Sequence, residues 1–480
     1  MAMDKWAAWV GGAPYTGAGE YFTVDEPATG HVLAEVSKLG PEDVDRAVRT
    51  ARTQFESGVW QNQSATQRGK VLLRMAQLIR DEVETLSQLE ARQVGKPIRD
   101  ARDEVLTAAD CFEFYAGAAN KLHGDTIPVS QPGLDYTIRV PVGVVGLIVP
   151  WNFPFLITAW KVAPALAVGN SVVVKPASYA PLTALKLGPI AQAAGVPDGV
   201  LNIVTGPGGQ TGEALASHHD VDKIAFTGET TTGSRILALA AARVARVSLE
   251  LGGKSPTIVF PDVDVDMVAR LAVASAYANG GQDCCARSRL LVHRDIAEAF
   301  TERFQGYVRQ LKIGDPLDPT VDMGPLVSLA HRDRVRRYVE SGVQEGARLV
   351  LAPEAYSVPT HGFYQAPAVF SEVSESMTIV QEEIFGPVST IQVFDTEEEA
   401  IAKANATPYG LSGSVFSRDI GRALRVAHRV KSGVLSVNSI KSVHLEAPFG
   451  GFKMSGIGRE LGLEALELYT EVKNIFVALD

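Results

Sequence analysis

The stretch Asn279-Gly280-Gly281-Gln282-Asp283-Cys284-Cys285 holds two of the chain's three cysteines side by side behind paired glycines, Cys111 being the third. Glycine there lets the backbone approach a neighbour closely or take a positive φ. An adjacent cysteine pair has neither the CxxC spacing of a metal site nor the geometry of an unstrained disulfide. Free cysteines are commonly small buried hydrophobes, so taken alone the pair reads first as packing. A second stretch, Leu249-Glu250-Leu251-Gly252-Gly253-Lys254, sets a carboxylate among apolar residues ahead of glycines. A partly buried glutamate has a raised pKa and can act as general base near neutral pH. A thiol nucleophile with a tuned carboxylate points to covalent catalysis.

The elements that must position these residues come from a chain of 480 residues, long enough for two or three folding units. Its 45 basic and 55 acidic residues leave a net charge of −10, which argues against nucleic acid or an anionic membrane as partner. Three cysteines give no disulfide framework and fit a reducing cytosol, so a cytoplasmic protein is expected. Met1 to Glu20 has no basic segment followed by an apolar one, so no signal peptide is expected. Val140 to Trp160 carries no charge and is long enough to span a bilayer. Pro141, Pro150, Pro154 and Asn152 interrupt it, and a buried strand, turn and helix are the expectation.

Near the N-terminus, Pro41-Glu42-Asp43 opens a helix, and Ser64 with Gln67 forms a capping box for a longer one bearing Leu72, Met75, Ile79, Val83 and Leu86. Ile127 to Val140 reads as a hairpin broken at Gln131-Pro132-Gly133. Strands are then predicted at Val142–Val149, Ser171–Val174, Leu201–Thr205, Lys223–Phe226 and Val247–Leu251, with helices between, Ile236–Val244 being one. That alternation implies a parallel sheet covered on both faces, binding its ligand beyond the C-terminal strand ends. The alternation resumes with a helix from Asp264 into Asn279, a strand Arg287–His293, a helix Ile296–Leu311 and strands Ser412–Phe416 and Val434–Val437. The glycine loops after the strands at 201 and 223 match neither GxGxxG nor a Walker loop, since Thr211 replaces a glycine and a lysine is missing. They suit a pyrophosphate on a helix N-terminus. The apolar tail Thr470–Leu479 needs covering by its own or another subunit.

Taken together, Pro150-Trp151-Asn152-Phe153-Pro154, Lys175-Pro176-Ala177-Ser178, Phe226-Thr227-Gly228, Leu249 through Lys254, Gly281-Gln282-Asp283-Cys284, Glu382-Glu383-Ile384-Phe385-Gly386-Pro387 and Pro448-Phe449-Gly450-Gly451 stand in the order found in the aldehyde dehydrogenase superfamily. The resemblance runs from Gly95-Lys96-Pro97 to Tyr469-Thr470-Glu471. It implies a Rossmann-like NAD(P)-binding domain (1–121 and 142–252), a second α/β catalytic domain (253–454) and a small β oligomerisation element (122–141 and 455–480). The implied reaction is oxidation of an aldehyde to the acid through a cysteine thiohemiacetal and thioester, with no metal. By resemblance Cys284 is the nucleophile, Asn152 and the Cys284 N–H hold the oxyanion, and Glu250 activates the hydrolytic water. Lys161 and Glu471 match positions on the proton path from Glu250, with solvated charges as the equal alternative. Lys175 matches a grip on the adenosine ribose, Glu383 and Phe385 on the nicotinamide end, and Trp151 an adenine-side contact. Gly208 and Gly228 allow close backbone approach, and Phe226 and Leu251 belong to the same cofactor motifs.

Two positions depart from the family pattern. Ser178 stands where members that prefer NAD often carry Glu, which removes a carboxylate that would repel a 2′-phosphate. Use of both NADP and NAD is therefore expected. Glu229 stands where Ser is usual, an acid near the pyrophosphate. Phe153, Ile157 and Trp160 match the substrate wall and imply an apolar or aromatic-compatible aldehyde. Cys285 beside the nucleophile, Val443 in the loop Ser439–Ala447 and Phe449 complete that wall. Asp283 could instead favour an amino- or betaine-type aldehyde. A CoA-acylating relative is disfavoured by Glu250, and a non-catalytic structural relative by the presence of Cys284, Asn152, Glu250 and Glu383. A homodimer or homotetramer is expected from the tail.

Overall fold

The computed structural model describes residues 4–479; residues 1–3 of the first expected segment and residue 480 of the last lie outside the described residues. Strands Val144–Ile148, Ser171–Lys175, Leu201–Ile203, Lys223–Thr227 and Arg246–Glu250 are the parallel heart of an eight-stranded sheet. Val144–Ile148 lies at the centre, with Ser171–Lys175 and then Leu201–Ile203 on one side. Lys223–Thr227 and then Arg246–Glu250 lie on the other. Val144–Ile148 and Ser171–Lys175 are buried at every position, as a parallel sheet with both faces covered requires. Chain order reverses beside Val144–Ile148, and open parallel sheets bind ligands at such a switch point, past the C-terminal strand ends. The two ends that flank it lead into Trp151-Asn152 and into Gly228.

The division read near Gly253 falls between Arg246–Glu250 and Pro256–Val259, the latter in a separate seven-stranded sheet. That sheet is parallel apart from the edge strand Arg348–Leu351. Helix Val265–Tyr277 packs onto it, its N-terminus capped by the Asp264 carboxylate accepting from the Met267 N–H at 3.1 Å. The strands at 412–416 and 434–437 have the predicted bounds.

Three expectations change in detail. The long helix after Ser64 is two, Ala65–Asp81 and Val83–Val94, broken at Glu82 (φ −98°, ψ 11°), although the Ser64–Gln67 box forms as read. Its apolar stripe carries on because Leu72, Met75, Ile79 and Leu86 all enter one core. The helix read at Ile236–Val244 runs Thr230–Ala241 instead, starting one turn past the strand at the cofactor motif. The segment 455–480 is not confined to a separate element, because Gly456–Ile457 pairs antiparallel with Leu249-Glu250 at the edge of the large sheet. The uncharged stretch from Val140 divides into Val144–Ile148 and the buried helix Pro154–Ala167. Among the described residues no helix is long and apolar enough to cross a membrane.

Thr126–Ile127, Gly133–Pro141 and the tail Thr470–Ala478 form a three-stranded antiparallel sheet. The tail is an edge strand, and Val472, Phe476 and Val477 on it are exposed.

Candidate active site

Past Tyr277 the backbone turns through positive φ at Asn279 (50°), Gly280 (64°) and Gly281 (75°) before reaching Cys284. At Gly281 a Cβ would lie 2.3 Å from the Gly386 carbonyl oxygen, and at Gly253 a Cβ would lie 2.4 Å from that of Cys284. Only glycine permits such approaches. They bring the Glu382–Pro387 and Leu249–Lys254 motifs against the cysteine loop. Asn152, 3% exposed, donates from Nδ2 to the Gln282 carbonyl at 3.0 Å. Asn279 Nδ2 in turn donates to the Asn152 carbonyl at 3.0 Å, so the amide and the cysteine loop hold each other.

The neighbouring Cys285 thiol, together with burial, pushes the Cys284 thiol well above the ordinary cysteine value. Glu250 is also pushed well up, first by burial and then by Glu460, while Lys161 and Arg459 pull the other way. Its Oε2 has no hydrogen-bond partner. Lys161 is fully buried and forms an ion pair with Glu460, itself buried. Of the two charges matched to the proton path, Lys161 is thus buried, while Glu471 pairs with Arg246 and is one-third exposed, as the solvated-charge alternative has it. Glu471 sits on the tail strand, whereas Glu460 follows the edge strand Gly456–Ile457 that pairs with Glu250, and so it is carried inward. Residue type could not separate the two acids.

A cavity of about 640 Å³ opens at the switch point and ends at Cys284. Trp151, Gly228, Glu229, Leu251, Glu383 and Phe385 line it. Phe385, at φ 59°, meets Trp151 edge to face at 5.2 Å, and His331 Nε2 lies 2.7 Å from the Phe385 carbonyl oxygen. Burial holds the His331 imidazole down at about 4, so it is neutral at pH 7. Burial pushes Glu383 up to about 7, although its Oε1 accepts from the Gly253 N–H at 3.0 Å. Glu229 is paired with Arg334 at 3.3 Å across the cavity wall, which offsets the acid that looked out of place. Phe226 lies beneath Gly228, its ring 2.6 Å from where a Cβ would stand.

Lys175, Ser178 and Gly208 are outside this lining, at the ends of the neighbouring strands. Lys175 is 3% exposed and held at about 8 by burial alone. Ser178 Oγ donates to the Gly206 carbonyl at 2.9 Å. Gly208 stands clear, since a Cβ there would meet no atom within 4 Å, so packing does not require glycine.

Ile157, Trp160, Cys285 and Phe449 belong to the large apolar core against which Cys284 and Phe153 pack. Trp160 and Phe449 are 5.4 Å apart at 59°, and the Trp160 Nε1 has no acceptor. Val443 is 38% exposed and does not belong to that core. The Asp283 carboxylate turns back to accept from the Cys285 N–H at 2.8 Å, and burial raises its pKa. Asp283, Cys284 and Cys285 offer ligand atoms within 4.8 Å of one another. Sequence reading missed Glu460, Thr227, Thr230, His331, Arg334 and Tyr338. For Glu460 the signal was an acid between paired glycines, Gly458 and Gly462, on a return strand.

A switch-point cavity lined by a half-buried thiol and an amide, with a raised carboxylate on the adjoining strand, is the arrangement of an enzyme that works through a covalent thiol intermediate. A family model for the aldehyde dehydrogenase family matches residues 15–475. The chain is 44% identical over 465 residues to aldehyde dehydrogenase family 2 member B4, mitochondrial, of Arabidopsis thaliana, covering 96% of this chain and 86% of that protein. It is 42% identical over 457 residues to betaine aldehyde dehydrogenase of Bacillus subtilis (strain 168), covering 95% and 93%. Among solved structures, an NAD-dependent aldehyde dehydrogenase from Sinorhizobium meliloti superposes with a TM-score of 0.97 at 40% identity, covering 99% and 95% of the two chains. The chain therefore belongs to the aldehyde dehydrogenase family, and its activity is the oxidation of an aldehyde by a nicotinamide dinucleotide.

Proposed function

We propose that Cys284 Sγ adds to an apolar or aromatic-compatible aldehyde to give a thiohemiacetal, that this would lose hydride to a bound nicotinamide and become a thioester, and that water hydrolyses the thioester to the acid with Glu250 as base. The Asn152 amide fixed on the Cys284 loop, with Glu250 near enough to feel the Cys285 thiol, carries this reading. One N–H of the Asn152 amide is held by Gln282, and the second is left for the oxyanion, beside the Cys284 backbone N–H. Glu250, once ionised, takes a proton from the water that attacks the thioester. Lys161 and Glu460 carry that proton onward from the buried carboxylate. The substrate tail lies among Phe153, Ile157, Trp160 and Phe449.

The dinucleotide fits the cavity. The buried hydroxyls of Thr227 and Thr230 have no partner, and they stand where helix Thr230–Ala241 begins without a side-chain cap. Free amides and unpaired hydroxyls at a helix N-terminus suit a pyrophosphate. Glu383 and Phe385 would hold the nicotinamide end, which when bound accepts the hydride. NAD and NADP are both used, because Lys175 faces no carboxylate that would repel a 2′-phosphate. A betaine aldehyde dehydrogenase of Staphylococcus aureus, 37% identical to this chain, has been solved with NAD+.

A quaternary-ammonium aldehyde is the second reading, favoured by the Trp160–Phe449 pair, since aromatic faces hold such cations. Asp283 does not favour it, because its carboxylate is committed to Cys285. The protein is a cytoplasmic homodimer or homotetramer in this reading. Its three cysteines are free, and the exposed edge Thr470–Ala478 can pair with a second copy. The test is kcat/KM for aliphatic, aromatic and betaine aldehydes, each with NAD and NADP. Betaine aldehyde exceeding all others by tenfold would replace the first reading with the second.

A further inference from the structure

Helix Pro154–Ala167 starts two residues after Asn152, and its own N-cap, Phe153, offers no side-chain cap. Its first amides are satisfied from elsewhere. Glu90 Oε1 accepts from the Phe155 N–H at 3.3 Å, and Glu104 Oε1 accepts from the Leu156 N–H at 3.4 Å. Both glutamates are buried, at 0% and 4% exposure, and come from other helices, Val83–Val94 and Ile98–Ala118. Lys96, 1% exposed in the link between those helices, forms an ion pair with Glu104 Oε2. Its ammonium also sits 4.2 Å from the centre of the Phe153 ring. Glu90 Oε2 is held by Gln93 Nε2 at 2.7 Å and by Thr183 Oγ1 at 2.6 Å. Carboxylates at a helix N-terminus are favoured by the dipole, so the unit holds this helix start as well as orienting it.

The same link also reaches the cysteine side. A Cβ on Gly324 would lie 1.8 Å from the Gly95 carbonyl oxygen, and the Ile98 N–H donates to the Pro316 carbonyl at 2.7 Å. From that loop the Val327 N–H donates to Gln282 Oε1 at 2.9 Å, and Gln282 is the residue whose carbonyl holds the Asn152 amide. The charge of Lys96 is felt at Asp283, next to the nucleophile.

We propose that Lys96, Glu104 and Glu90 form a positioning unit that sets the Asn152 amide in register with the Cys284 thiol. The unit touches neither substrate nor dinucleotide, and it acts through the helix start and the Gln282 loop. The proposal rests on Asn152 being the oxyanion donor. Removing such a donor costs about 10²–10³ in rate, and a 1 Å misplacement costs about 10²-fold.

A double-mutant cycle tests it, read as the rate of the first-turnover burst of reduced dinucleotide. Glu104→Ala lowers the burst rate by about 10- to 100-fold, leaves dinucleotide affinity within about 2-fold, and Glu104→Gln recovers part of the loss. In the Asn152→Ala background Glu104→Ala changes the rate by less than about 2-fold, because the group it positions is gone. Should Glu104→Ala not give folded protein, Glu104→Gln and Lys96→Met take its place in the cycle. An equal fold-loss in both backgrounds, or no loss in the native one, overturns the positioning role and leaves Asn152 as donor. Full activity of Asn152→Ala alone overturns the donor reading and the proposal with it.

Discussion

Glu250→Gln separates the two halves of the reaction, because a carboxamide cannot accept the proton from the attacking water. General-base assistance is worth about 10²–10⁴ in rate. The steady state should fall by about that factor while a stoichiometric burst of reduced dinucleotide survives. The pH dependence follows from the neighbours. Burial and Glu460 raise the Glu250 carboxyl, so the base is ionised only above the ordinary carboxylate range. Deacylation in the native protein is therefore lost as pH falls through that raised pKa and restored as it rises. Removing the Glu460 charge deletes a like charge and frees Lys161, and both changes favour ionised Glu250. Two unit charges about 8 Å apart at an effective dielectric of about 20 interact by about 2 kcal/mol, and about 1.4 kcal/mol is one pH unit. Glu460→Gln should then move the inflection of kcat down by about one unit, and Lys161→Met should move it up. The assay is stopped-flow absorbance of the reduced dinucleotide across pH. Burst and steady state falling together in Glu250→Gln, or an inflection that ignores Glu460, would refute the assignment.

Cys284→Ala should abolish dehydrogenase activity while Cys285→Ala keeps most of it; the reverse pattern would move the nucleophile to Cys285. The Cys285 thiol is the largest cause of the raised Cys284 pKa, so Cys285→Ala should speed iodoacetamide alkylation of Cys284 at pH 7.5 by several-fold, followed by mass spectrometry. Ser178→Glu should shift the kcat/KM ratio toward NAD by about tenfold or more, the scale of a charge-assisted hydrogen bond of about 1.5–3 kcal/mol; an unchanged ratio would place cofactor choice elsewhere. Val472→Lys with Phe476→Lys on the exposed tail edge should yield a smaller species by sedimentation velocity if copies pair there, and an unaltered mass would exclude that edge.

The parallel core was legible because its strands are short β-branched runs separated by turn residues, and burial on both faces leaves them no polar alternation. Strand bounds came within about two residues, as hydrophobic runs do not mark where the last ladder bond falls. The break at Glu82 was not legible, since one apolar stripe served both helices and only backbone dihedrals separate them. Cys284, Asn152 and Glu250 were singled out by motif order together with chemistry that each residue type can do. His331, Arg334 and Tyr338 were not. They come from one helix, Leu329–Gln344, whose outward face looks like any charged helix until it is packed over the cavity mouth.

Glu460 and Glu471 show what kind of information a sequence pattern leaves out. Glu460 and Glu471 are both acids in the same C-terminal stretch, and both lie near apolar residues. The deciding fact is strand pairing. Gly456–Ile457 runs antiparallel to Leu249-Glu250, so the chain that follows it is carried past the base and into the core. The tail strand instead pairs outward with Gly133–Pro141 and takes Glu471 to Arg246 at the surface. An unpaired ammonium at full burial is disfavoured, so a buried lysine either finds an acid or, as at Lys175, loses basicity. Once Lys161 is known to be fully buried, a one-third-exposed carboxylate is a poor partner and Glu460 is the acid that satisfies it. Burial, which a single sequence reports only on average, thus selects Glu460 as the partner of Lys161 where residue type left two acids open.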